Sequence, residues 1–216
     1  RLLEVGHVEQ QHAIRACHPQ ITELQGGGPR IAHRQHRRQL RVKRIVDIDD
    51  ESLGKLGQGP WPRARMGAIV KAASDLGAAT VAFDMAFAEP DRLSPEFFTR
   101  DLDPAVRGRV QGAMAGVESY DAQFAAEIGK ANVVLGAIMT NSGAPGADAP
   151  VKAGFAYAGD DPTPWLADFP AIAAPLPLLA KPATGIGVLN WLPGNDQIVR
   201  EAPLIVRSGA TLIPSL

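Results

Sequence analysis

From residue 42 onward the chain alternates short apolar runs with longer stretches of helical period. Residues 42–48, Val-Lys-Arg-Ile-Val-Asp-Ile, carry the first strand signal, and Asp50 is placed to cap a short turn running to Leu56. Met66, Ile69, Val70, Ala73 and Leu76 then recur at helical spacing and give one apolar stripe. Pro62 suits the opening of that helix, where its missing donor costs nothing, and Gly77 suits its end. Residues 80–87 are almost continuously apolar, as a strand covered on both faces should be. Tyr120, Phe124 and Ile128 share one face of a helix expected over 119–130, and residues 132–139 make the third strand. Apolar strands separated by helical patterns favour parallel crossovers. The strands near 42–48, 80–87 and 132–139 are therefore expected in one parallel sheet, with the Met66 helix packed on it.

Past residue 140 the texture changes. Residues 141–150 are a Gly/Pro/Ala/Asp loop, and the stretch 160–182 contains six prolines, so both are expected to run over the surface. Trp165, amid those prolines, is expected to anchor a local cluster. Residues 185–191 and 198–207 read as two strands around the turn-forming run Pro193-Gly194-Asn195-Asp196, which predicts a hairpin. The expected fold class is α/β: a mainly parallel sheet with flanking helices and a C-terminal antiparallel hairpin.

Charge separates residues 1–43 from the rest. Through Arg44 there are nine Lys and Arg against three Asp and Glu; the remaining 172 residues hold thirteen basic and twenty acidic ones, so the total of −1 conceals an asymmetry. All five histidines and the single cysteine, Cys17, also fall in this lead-in. It is expected to be a disordered or non-native leader, separate from a domain over 44–216. A basic patch for anionic lipid or nucleic acid is the next reading, but aromatics for stacking on bases are missing. A histidine metal site comes last, because no pair has a helical i,i+4 setting. No apolar stretch approaches the roughly eighteen residues of a membrane span. The chain opens on Arg1 without a secretory leader and reads as a piece of a longer protein, truncated at its carboxyl end.

Chemistry concentrates in two acidic clusters, Asp47-Ile48-Asp49-Asp50-Glu51 and Asp84 through Glu89-Pro90-Asp91, with Trp61 and Arg63 between them. Ligands of open α/β sheets bind outside the carboxyl ends of the strands, where these acids are expected. Asp47 and Asp49 share one side of a strand by the two-residue period. Like charges in a cleft raise each other's pKa, so Asp47, Asp49 and Asp84 require a cation or an arginine, and Arg63 and Arg65 are placed to supply it. Three outcomes are open: a structural Asp–Arg network holding the Trp61 loop, a ligand pocket, or a divalent metal. The candidate ligand-binding residues are Asp47, Asp49, Trp61, Arg63, Asp84, Glu89 and Asn190. Trp61, held between Pro60 and Pro62, either packs over the sheet edge or stacks on a ligand. Asn190 is either a turn or ladder group or a ligand contact.

Several separated runs also carry a family resemblance. They are Val-Asp-Ile-Asp-Asp-Glu-Ser-Leu from Val46, Leu-Gly-Gln-Gly-Pro-Trp-Pro-Arg from Leu56, and Ala-Phe-Asp-Met-Ala-Phe-Ala-Glu-Pro-Asp from Ala82. Asn132-Val133-Val134-Leu135-Gly136, Gly187-Val188-Leu189-Asn190 and Val199 through Leu204 continue the pattern. In this order they resemble the second type of CHASE domain, the cyclases/histidine kinases associated sensory extracellular domains, over roughly residues 44–216. Gly59 departs from the pattern, which has a second Trp there. The resemblance implies the extracytoplasmic sensory domain of a bacterial transmembrane receptor. Membrane helices and a cyclase, histidine kinase or Ser/Thr kinase would lie outside this chain. It also implies an unidentified small-molecule ligand, a homodimer, no cofactor and no nucleic acid.

The alternative is enzymatic. Asp47-Ile48-Asp49 after an apolar strand is similar to the first motif of the haloacid dehalogenase phosphatases, with Asp47 as nucleophile and Asp49 as general acid beside magnesium. Thr140 and Gly159-Asp160-Asp161 resemble its later motifs, but Glu51 stands where Thr or Val is expected. Other chemistries are excluded more firmly. Residues 44–216 contain no His and no Cys, so they hold no Ser–His or Cys–His nucleophile, and no Walker-type phosphate loop occurs.

Overall fold

A computed structural model describes residues 43–100, 102–142, 152–193 and 196–216. The expectations for residues 1–42 and for the loop 143–151 lie outside them. The chain divides into two units, Arg1–Asp47 and Ile48–Leu216. In the first, residues 43–47 form neither helix nor strand, with Ile45 82% and Val46 71% exposed. The first expected strand is therefore absent from 43–48. Lys43, Arg44 and Asp47 interrupt the run, whereas an inner parallel strand needs unbroken apolar sequence.

The second unit opens with helix α1 (Asp50–Leu56), capped by Asp49, and α2 (Arg63–Asp75). Met66 and Val70 of the predicted stripe are buried; Ile69 packs on the same core from its margin, and Leu76 falls just past the end of α2, half exposed. Gly77, at φ 85°, turns the chain into β1 (Val81–Ala86). Two short helices follow, α3 (Pro95–Phe98) and α4 (Pro104–Ala113), and then α5 (Tyr120–Ile128), capped by Ser119. β2 (Val133–Thr140) is the axis of the sheet. Its first half pairs in parallel with β1, and residues 134–137 pair in parallel with β4 (Gly185–Val188). Its last three residues take β3 (Ala171–Ala173) in antiparallel pairing. Helix α6 (Pro177–Ala180) lies between β3 and β4.

The hairpin forms elsewhere than expected. Residues 185–188 join the main sheet, and the antiparallel pair is β5 (Ile205–Ser208) with β6 (Thr211–Pro214). The turn that closes it is Gly209-Ala210, with Gly209 at φ 58°. A two-residue loop needs positive φ at its start to match the strand twist, and glycine adopts it freely. The Leu216 amide then donates to the Val188 carbonyl at 3.1 Å, running the chain beside β4. A Cβ on Gly187 would sit 2.6 Å from the Leu216 Cα, so only glycine admits this approach.

One face of the sheet is packed by α2 and α5. Phe83, Phe87 and Phe124 meet edge to face with centroids 5.2–5.6 Å apart, and Val70, Ile128, Val133, Leu135 and Leu179 close around them. A second cluster joins Ala137, Met139, Ile172, Ile186 and Val188 to Val206 and Ile213 of the hairpin. Trp165 departs from expectation: it lies 89% exposed on a short 3₁₀ turn and belongs to neither core cluster of the described residues. No helix among the described residues is long and apolar enough to cross a membrane.

Candidate functional site

The segment leaving β1, Phe87 to Ser94, crosses the N-terminal ends of α2 and α5, and its polar groups are held from both. The Asp91 carboxylate accepts from the Arg63 amide at 2.7 Å and from the Leu93 amide at 2.9 Å. The Asp91 amide donates to Asp121 Oδ2 at 2.9 Å, and the Tyr120 amide donates to Ser94 Oγ at 2.9 Å. Asp91, Ser94 and Asp121 are all buried. The Arg63 guanidinium completes the cluster. It donates to the Glu89 carbonyl at 2.9 Å, stands 3.5 Å from Asp121 Oδ1 and lies 4.5 Å over the Phe87 ring. Burial lowers its pKa from the ordinary arginine value, while Asp121 and Asp91 oppose that loss. An arginine remains cationic under either influence.

This is an Asp–Arg network, but its carboxylates are not the expected ones. Asp121 was not singled out. It stands in the first turn of α5, where the free amides and the helix dipole favour a carboxylate, and that position was its only sequence signal. Asp91 closes the second acidic cluster of the sequence but is not among the seven candidates. Among the described residues Asp91 and Asp121 are the two buried charged ones, and such groups are paired as a rule.

Six of the seven candidates lie in the second unit, each with its own surroundings. Asp47 is exposed and lies in the first unit, in neither helix nor strand. Asp49 Oδ1 accepts from the Ser52 amide at 2.8 Å and the Ser52 hydroxyl at 2.7 Å, and those bonds hold its pKa below the usual carboxylate value. It is a helix cap. Asp84 is exposed on β1, and among the described residues its side chain has no hydrogen bond or ion pair. Glu89 supplies its carbonyl to Arg63, while its carboxylate meets Arg92 at 2.9 Å in solvent. Trp61 is buried against the core and donates Nε1–H to the Gly57 carbonyl at 2.7 Å, with Arg65 5.1 Å over its ring. The side chain of Asn190 accepts from the Met139 amide at 2.6 Å and donates to the Met139 carbonyl at 2.9 Å. Arg63 partners carboxylates as expected, but those of Asp91 and Asp121 rather than those of Asp49 or Asp84.

The phosphatase arrangement lacks its scaffold. Asp47-Ile48-Asp49 does not follow a strand, the Thr140 hydroxyl is spent on the Ser142 carbonyl, and Asp160 and Asp161 sit exposed outside any strand. No group of three or more His, Cys, Asp or Glu among the described residues is placed to hold a metal ion. What the cluster can do is mechanical: it ties one loop at the carboxyl end of β1 to two helices at once.

The family model for the CHASE2 domain matches residues 28–216. No curated protein and no solved structure matches the chain.

Proposed function

The chain belongs to the CHASE2 family of extracytoplasmic sensory domains, and on that premise we propose that it binds a small-molecule signal for a bacterial transmembrane receptor. The family match over residues 28–216 is the observation that carries this reading. Membrane helices and a cytoplasmic output, a nucleotide cyclase or a histidine or Ser/Thr kinase, belong to the full-length receptor. The domain works there as a homodimer. β1 and the segment after it support the reading in kind: among the described residues Asp84 on the strand offers an unpaired carboxylate to solvent and Glu89 one paired only with exposed Arg92, next to a loop braced on α2 and α5 through Arg63. Pulling on that loop transmits force to two helices, which is what a sensor needs from its binding edge.

Thermal melts of the purified domain against a library of small metabolites test the proposal. A ligand at one hundred times its Kd adds about 2.7 kcal/mol of stability. We expect at least one such stabiliser, and expect Asp84→Asn to weaken it without lowering the melting point of the ligand-free domain. Magnesium-dependent phosphoester hydrolysis by the pure domain, abolished by Asp47→Asn, would overturn the assignment.

A further inference from the structure

We draw no further inference here: the strongest candidate, the groove of about 350 Å³ on the sheet face turned away from α2 and α5, floored by Ala82, Val134, Gly185 and Gly187 and edged by Lys152, carries nothing because no feature of the described residues shows what covers it.

Discussion

Arg63 and Arg65 are the arginines expected to balance Asp47, Asp49 and Asp84; in the structure Arg63 balances other acids. Its guanidinium and its amide together reach Glu89, Asp91 and Asp121, residues 26 to 58 positions away. Removing one partner of a buried charge cluster leaves the others uncompensated and costs about 3 kcal/mol or more. Asp121→Ala should therefore lower the urea-unfolding free energy by about that amount, since it orphans the Asp91 amide as well as part of Arg63. Asp84→Asn should stay within about 0.5 kcal/mol of wild type, as surface changes without partners do. Equal losses from the two would mean that the network is not what holds the loop. The cap at Asp49 gives a pH signature. Its folded pKa lies below the unfolded value of about 3.9, so its contribution is complete above that pH. It then fades as pH falls through the lower, folded value. The urea midpoints of wild type and Asp49→Ala should differ near neutrality and converge in strong acid; a constant gap would remove the carboxylate from the explanation. At this scale the candidate site was half legible. The pairing of acids with Arg63 follows from charge logic, but which acids do it depends on where the loop after β1 turns. No periodicity reports that.

Among the elements, those with a strong period were readable and those without were not. The α2 stripe, β1, α5 and β2 all came from apolar spacing, and their shared core is the triad of Phe83, Phe87 and Phe124. Phe124 is fully buried between α2 and the sheet. Phe124→Ala should destabilise the domain by about 3–5 kcal/mol, the usual cost of emptying an aromatic core site. A calorimetric loss below about 1 kcal/mol would show that the helices repack without it. By contrast, α4 had no legible signal because none of its residues is buried, leaving only Asp103 and Pro104 to mark its start. β3 and α6 were hidden in the proline-rich stretch, each no longer than four residues. β4 was read as a hairpin arm. Its apolar sequence fits either pairing, and the parallel ladder to β2 is a tertiary choice that local spacing does not contain.

For the whole molecule, the α/β class and the presence of a hairpin were legible, while the sheet order was not. The strand expected over 42–48 is absent from the described residues 43–48, and β2 instead shares one edge between β1 and β3. Both described core clusters lie within residues 48–216. A chain lacking residues 1–40 should accordingly keep the circular dichroism spectrum and the melting temperature of the full chain to within a few degrees. A collapse of the cooperative melt would mean that the amino-terminal residues belong to the fold. The CHASE2 match, which begins at residue 28, makes the same experiment informative about where the family's domain starts.

One amide shows how little chemistry separates a lock from a fault. Asn190 meets Met139 with an acceptor against its N–H and a donor against its C=O, so the side chain reads the backbone in a fixed sense. Deamidation exchanges one NH₂ for one oxygen and leaves the outline almost unchanged. Yet the new oxygen would face the Met139 carbonyl at about the former 2.9 Å, oxygen to oxygen, with no proton between them near neutral pH. The carbonyl of buried Met139 would lose its partner and gain a negative neighbour. Replacing that single side-chain amide by a carboxylate, with no bond of the main chain broken, would therefore weaken the sheet at the point where β4 leaves it.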